Sequence, residues 1–336
     1  MSNVSADAFT SDPVLFVASG GGHLEELLKF RDRLVPKGNA IEWMTPNSVH
    51  AESLLRGQTV HFTGYVGPRE YKSMYSLFRQ TRRVLLQRKF SAVISTGAAI
   101  AVPAFIAARR HSIPCHYIES AARALRPSLT GKIVQRIPRI NLYTQYEVWQ
   151  NRKWHFSGSV FDEFKVEDLP VPRDCNRVVV TLGTMQQFGF RRAVKQVKRV
   201  LDSLGVPSAN VLWQTGCTDV SGIEIQAYKS MPAAQLREAI SNADLVIAHA
   251  GVGSALTSLE RGKAPILLPR EARFSEHIDD HQAMIAAELA SRGLAIACNV
   301  EDFDAEKISR ALGIRIVENA SMSPFRLLTE GGHREL

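Results

Sequence analysis

Short, uninterrupted apolar runs that end on glycine or another small residue recur along both halves of this 336-residue chain. Val14–Ala18 runs into Gly20-Gly21-Gly22, Ala92–Ile94 into Ser95-Thr96-Gly97, and His116–Ile118 into Glu119-Ser120. In the second half Val178–Thr181 leads into Gly183-Thr184, and Val211–Gln214 into Thr215-Gly216. Leu245–Ala248 then runs into His249-Ala250-Gly251, and Ile266–Leu268 into Pro269. Strands that are apolar throughout belong to parallel sheets covered by helices on both faces. The expected fold is therefore α/β. At roughly 150 residues per domain, the length suits about two domains.

The periodicity weakens over 165–177, where Pro170 and Pro172 bracket a charged stretch. This segment reads as a linker. It separates a first domain over 1–164 from a second over 178–320, and leaves 321–336 as a tail open to packing back on the first domain. Two such domains would face a central cleft with their C-terminal strand ends turned towards it, where open α/β sheets take ligands.

Charge and cysteine usage exclude several classes. The whole excess of +8 sits in residues 1–170, with 22 Lys/Arg against 14 Asp/Glu; residues 171–336 carry 19 of each. Two runs concentrate it. One is 69–89, with Arg69, Lys72, Arg79, Arg82, Arg83, Arg88 and Lys89 against Glu70; the other is 123–139, with five Lys/Arg and no acid. Tyr71, Met74, Tyr75, Phe78 and Leu85 interleave the first run at near-helical spacing. That pattern suits a basic amphipathic helix on an anionic membrane surface, or a helix that faces its own core with solvated cations. No nucleic-acid-binding motif accompanies the charge. Cys115, Cys175, Cys217 and Cys298 lack C-x-x-C spacing, which argues against a zinc ribbon or redox pair and fits a reducing cytoplasm. Neither a secretory leader nor a run of about 20 apolar residues stands out, so any membrane contact is expected to be peripheral.

Four motifs carry possible chemistry. Ser19-Gly20-Gly21-Gly22-His23 joins a strand to a helix, where exposed N–H groups and the helix dipole favour an anion and His23 would point into the cleft. It is neither G-x-G-x-x-G nor a P-loop, so a dinucleotide oxidoreductase is disfavoured. His249-Ala250-Gly251-Val252-Gly253-Ser254 forms a second cradle, with Ser254 as the expected N-cap of a helix over Ala255–Arg261. Glu260 follows Ser254 by roughly 9 Å of helix rise, the span from a diphosphate to its ribose. His277-Ile278-Asp279-Asp280-His281-Gln282 reads as a nucleotide-sugar contact loop or a helix-start cluster. A zincin would need Glu where Ile278 stands. Thr181-Leu182-Gly183-Thr184 is a further backbone cradle.

Taken in order, S-G-G-G-H, S-T-G-A-A-I-A-V-P and Y-I-E-S-A-A-R-A-L-R-P-S-L-T-G-K resemble the membrane-recruiting subunit of the dolichol-pathway UDP-GlcNAc transferase and bacterial exopolysaccharide transferases. V-T-L-G-T, A-D-L-V-I-A-H-A-G-V-G-S-A-L-T-S-L-E and D-D-H-Q resemble its catalytic partner and the family 28 C-terminal domain of the peptidoglycan UDP-GlcNAc transferase. The likeness covers roughly residues 14–300, as a fusion of the two subunits.

This resemblance implies a GT-B glycosyltransferase with two Rossmann-like domains. It would move a hexose-type sugar (GlcNAc, glucose or glucuronic acid) from a UDP-sugar to a polyprenyl-diphosphate-linked acceptor, with inversion and without a metal or other cofactor. By position, the donor would be held by Gly183, Thr184, His249, Gly251, Gly253, Ser254, Glu260, Asp280, His281 and Gln282. His23 is the proposed base and Glu119 its rival. Gly21, Gly22, Thr96, Gly97 and Arg123 would line the acceptor side. The eukaryotic membrane subunit carries an N-terminal membrane helix that this chain lacks, so Arg79, Arg82 and Arg83 become the expected membrane face on the inner side of the cell membrane. The competing readings are a UDP-sugar 2-epimerase of GT-B-like fold and a non-catalytic nucleotide-sugar-binding protein.

Overall fold

Apolar residues fill both faces of β1 (Val14–Ala18), an interior strand of the first sheet in a computed structural model. The structure describes residues 11–65, 70–170, 174–183, 187–278, 280–321 and 325–328. Arg69, the side chain of Tyr71, Pro172, Thr184, Asp279 and most of the 321–336 tail fall outside the described residues.

The chain divides into two units, one of residues 1–160 with 322–336 and the other of 161–321. In the first, β1 is followed by α1 (Gly22–Leu34), β2 (Ile41–Pro46), α2 (Val49–Leu54), β3 (Thr59–Thr63) and α3 (Tyr71–Gln87). Then come β4 (Ala92–Gly97), α4 (Ala101–Arg110), β5 (Cys115–Ile118), α5 (Leu129–Val134), β6 (Ile140–Thr144) and β7 (Trp154–Phe156). The seven strands are parallel, in the order β3-β2-β1-β4-β5-β6-β7. Alanines 101, 104, 107 and 108 give α4 a small-residue face, and Leu77, Val84 and Leu85 of α3 share its core cluster.

The second unit opens with β8 (Phe164–Asp168), β9 (Val178–Thr181), α6 (Arg191–Ser203), β10 (Val211–Gln214), β11 (Ala227–Tyr228), α7 (Ala233–Asn242) and β12 (Leu245–His249). It continues through α8 (Val252–Leu259), β13 (Ile266–Leu268), α9 (His281–Ser291), β14 (Ile296–Ala297), α10 (Ala305–Leu312) and β15 (Ile314–Glu318). Its parallel sheet runs β11-β10-β9-β12-β13-β14. Val194, Val197 and Leu201 of α6 lie one or two helical turns apart, so one stripe meets Val178, Val180 and Ile247 in the core.

Both sheets reverse their winding at one point, between β1 and β4 in the first and between β9 and β12 in the second. At such a switch point the connections leave in opposite directions and open a crevice at the C-terminal strand ends. The glycine-rich turns after β1, β4, β9 and β12 all stand at these two points.

The linker expectation is corrected in part. Residues 164–168 form β8, which pairs antiparallel with β15 from Phe164–Glu318 to Asp168–Ile314. The passage between units lies earlier, at Val160–Phe161. Charged residues alternate along β8 because it belongs to a two-stranded ribbon and not to the buried sheet. The tail residues Phe325 to Leu328 pack on the first unit: Phe325 meets Phe30 and Tyr143 edge-on or tilted, and the Leu328 N–H donates to the Tyr143 hydroxyl at 2.8 Å.

Candidate active site

At the first switch point, the turns after β1 and β4 are tied together. The Ser19 N–H donates to the Gly97 carbonyl at 2.9 Å, and the Ala98 N–H donates to Ser19 Oγ at 3.1 Å. Gly21, at φ +72°, precedes the first turn of α1, and His23 is the second residue of that helix. The His23 ring is fixed from both sides. Its Nδ1 lies 2.8 Å from the Thr96 carbonyl, and the Thr96 hydroxyl donates to the His23 carbonyl at 2.7 Å. Gly97, at φ +108°, backs the ring so closely that a Cβ would stand 3.2 Å from Cε1. A carbonyl only accepts, so Nδ1 carries the proton, and the neutral ring's lone pair falls on Nε2. This is the tautomer a base needs, on a side chain that keeps 28% of its surface exposed.

One helical turn further lies a residue that motif reading missed. Glu26 is fully buried. Its Oε1 accepts from the Ala121 N–H at 2.6 Å, Ser120 Oγ at 3.3 Å and Gln145 Nε2 at 3.4 Å. Oε2 has no hydrogen-bond partner and stands 4.0 Å from His23 Nδ1. Burial pushes this carboxyl's pKa up to about 8, against the pull of the Ala121 N–H. The i, i+3 spacing from His23 was the available signal, but Glu25 beside it, also buried at 6% exposure, obscured which acid approaches the histidine.

Glu119, the rival to His23, is committed to the fold. It is 1% exposed, and its carboxylate accepts from the Ser128 N–H (2.8 Å), Ser128 Oγ (3.0 Å), Tyr117 OH (3.1 Å) and Ser120 N–H (3.2 Å). Burial still raises its pKa. It braces the start of α5, a role set by a loop that closes nine residues later. Arg123 belongs to the same loop, where its carbonyl accepts from the Trp149 indole N–H at 3.1 Å. Gly22 opens α1 beside Gly21.

At the second switch point, His249 ends β12 and its ring is enclosed by two glycines. A Cβ on Gly183, whose φ is +84°, would meet the ring at 2.9 Å, and a Cβ on Gly251 would overlap it. These glycines are needed first to seat an imidazole. Burial and then the charge of Arg270 push the His249 pKa down to about 3, so the ring is neutral. The helix starts earlier than expected. Gly251 is the N-cap and α8 begins at Val252, so Gly253 and Ser254 lie within its first turn. Ser254 Oγ approaches His249 Nδ1 at 3.3 Å instead of capping. Glu260 is the residue that closes α8, half-buried.

The polar cluster after β13 is partly structural. Gln282 is 3% exposed, and its Oε1 accepts from the Arg270 N–H at 3.1 Å, so the side chain is committed to the fold. Asp280 Oδ1 accepts from the Ala272 N–H at 2.8 Å and braces the same loop. His281 opens α9 and His277 precedes it, their rings edge to face at 4.6 Å. Among the described residues, no three His, Cys, Asp or Glu side chains gather as a metal site requires.

Arg79, Arg82 and Arg83 line an open groove of about 750 Å³ along α3, with Arg110, His111, Tyr75 and Leu86. The apolar stripe expected to pair with them divides. Met74, Phe78 and Leu85 pack on the core beside Leu77 and Val84, whereas Tyr75 (65% exposed) stands out among the arginines, as does Leu86 (59%). Among the described residues, no helix is long and apolar enough to cross a membrane.

Residues 177–314 match the glycosyltransferase family 28 C-terminal domain. The UDP-N-acetylglucosamine--N-acetylmuramyl-(pentapeptide) pyrophosphoryl-undecaprenol N-acetylglucosamine transferase of Prochlorococcus marinus (strain NATL1A) is 28% identical, over 94% of this chain and 93% of its own. The crystal structure of Acinetobacter baumannii MurG has the same fold, with a TM-score of 0.55 at 20% identity over 89% of both chains. The UDP-GlcNAc 2-epimerase of Methanocaldococcus jannaschii shares it at a TM-score of 0.54 and 12% identity, covering 89% of this chain and 91% of its own. Two Rossmann-like parallel-sheet units with glycine turns at both switch points give the chain the GT-B fold, and residues 177–314 of its second unit match the glycosyltransferase family 28 C-terminal domain.

Proposed function

We propose that the chain transfers N-acetylglucosamine from UDP-GlcNAc to a sugar hydroxyl of a polyprenyl-diphosphate-linked acceptor, with inversion, in the synthesis of an envelope or exported glycan. The observation that carries this reading is the pairing of two glycine turns at two switch points, one bearing a histidine in the tautomer of a base and the other a helix start that suits a diphosphate. Likeness to the named transferase runs through both units, whereas the epimerase shares only the fold.

In this reading the second unit takes the donor. The first N–H groups of α8 hold the diphosphate, and Glu260 takes the ribose hydroxyls. Asp280 and His281 stand near the sugar. Gln282 is left out of that role because Arg270 occupies it. The first unit takes the acceptor. His23 Nε2 accepts the proton of the attacking hydroxyl as its oxygen bonds to the anomeric carbon. The bond from that carbon to the UDP oxygen breaks, and its electron pair leaves with the diphosphate. Glu26 supports His23 from the buried side. The exposed α3 arginines, with Tyr75 and Leu86, rest on the anionic cytoplasmic face of the membrane, where a lipid-linked acceptor is found.

Incubation with UDP-GlcNAc, UDP-glucose and UDP-glucuronic acid, with and without a bacterial lipid extract, tests this by product mass. A lipid product heavier by one N-acetylhexosamine is expected with UDP-GlcNAc, and His23→Ala should remove it while UDP still binds. Conversion of the donor without lipid to an isomer of unchanged mass, resolved by NMR, would instead establish an epimerase.

A further inference from the structure

Arg270 follows β13 by two residues and is 1% exposed, one of the largest fully buried side chains of the molecule. Among the described residues its guanidinium makes no hydrogen bond to a carboxylate. Nη2 donates to the Leu182 carbonyl at 2.8 Å, and Nη1 to the Phe188 carbonyl at 2.7 Å, the Glu276 carbonyl at 3.1 Å and, more distantly, the Gly189 carbonyl at 3.4 Å. The Phe190 ring lies beneath it at 5.1 Å.

These partners have a common geography. Leu182 directly follows β9 and Gly183 is next, while Phe188 and Gly189 lead into α6. One side chain therefore fastens the chain on both sides of the first glycine turn to the segment before α9. Guanidinium stays protonated even when buried. Carbonyl dipoles solvate it but cancel no net charge; the nearby Glu276 carboxylate acts on it, but that group is ion-paired with Arg192 at 2.9 Å, so the positive charge of Arg270 has no counter-ion of its own. Its field reaches the cradle, because Arg270 is the main charged group acting on the ring of His249. That ring packs against both Gly183 and Gly251. In a low-dielectric interior such a charge is felt more strongly than a surface lysine's.

We propose that Arg270 is a positioning residue of the donor site: it fixes Leu182 and Phe188–Gly189 in place and sets a permanent positive charge behind the glycine cradle, where it favours the diphosphate of the bound donor and of the departing nucleoside diphosphate. This rests on the reading that the second unit holds a UDP-sugar. A merely structural role would weaken every ligand of the site alike. The charge instead acts on phosphate and spares the nucleoside.

The test compares UDP with uridine on the full chain by calorimetry and competition, using Arg270→Gln and Arg270→Lys. Gln keeps two N–H donors but no charge, and is expected to weaken UDP tenfold or more while uridine changes less than twofold. Lys keeps the charge, and should hold UDP within threefold of the unaltered chain. Parallel loss of UDP and uridine in the Gln variant, unchanged UDP affinity in it, or a tenfold UDP loss in the Lys variant would overturn the proposal. If the Gln variant does not fold, the Lys variant decides on the same thresholds. An unaltered chain that binds no UDP would overturn the donor reading itself, a result separate from any effect of the variants.

Discussion

His23 and Glu26 show how one helical turn separates a partly exposed side chain from one that meets the core. Thr96 and Gly97 hold the first at the strand ends, and three donors from the loop after β5 and from β6 hold the second. The buried carboxyl has a measurable consequence. Its pKa is raised from 4.5 to about 8, so the folded chain binds that proton more tightly than the unfolded chain between those values. Stability therefore falls as pH rises through this window, by ~5 kcal/mol at most at about 1.4 kcal/mol per unit. Glu26→Gln removes the ionisation and keeps the shape. Urea midpoints should show the variant gaining on the parent at pH 8.5 relative to pH 5, and parallel pH slopes for both proteins would contradict the assignment. At this scale His23 was legible because a histidine follows three glycines at a strand end. Glu26, Gln282 and Arg270 were not, because their partners lie 6 to 119 residues away and no local pattern announces a buried hydrogen bond.

Among elements, α3 divides most clearly into an inner and an outer face. Its inner positions Leu77, Val84 and Leu85 hold it to the core, and Arg79, Arg82 and Arg83 project to solvent. Each cation near an anionic bilayer contributes about 1 kcal/mol, so three together are worth ~3 kcal/mol, on the order of a hundredfold in partition. Replacing all three by Glu should abolish sedimentation with phosphatidylglycerol vesicles and leave UDP affinity unchanged. Persistent sedimentation would move the membrane face elsewhere. The same scale shows where periodicity serves and where it fails. Val14–Ala18, Val178–Thr181, Val211–Gln214 and Ile266–Leu268 are strands with the bounds their apolar runs mark. β3 escaped because an edge strand with four of its five residues partly or fully exposed has no continuous apolar run. β8 escaped because its partner β15 stands nearly 150 residues later, and a ribbon of alternating charge resembles a loop until it is paired.

At the level of the whole molecule, the two units are each complete sheets with their own cores, and the chain returns to the first unit near its end. Phe325 is the anchor of that return, 1% exposed against Phe30 and Tyr143. Loss of a buried Phe costs about 3–5 kcal/mol. Phe325→Ala should therefore lower the unfolding transition of the first unit and spare that of the second, which differential scanning calorimetry would resolve as separate movements of two peaks. An equal shift of both peaks, or none, would contradict the anchoring role. The α/β class, the two-unit count and the glycine turns at the strand ends were already determined by the sequence alone. Apolar continuity and glycine placement are local properties, and they act within a few residues of where they are read. Which charged and polar groups face substrate and which brace the fold was decided only by tertiary structure. Burial of Glu26, Glu119, Arg270 and Gln282 depends on donors and acceptors that the sheet brings together from distant parts of the chain, and the free energy of a charge depends on those neighbours more than on its own side chain.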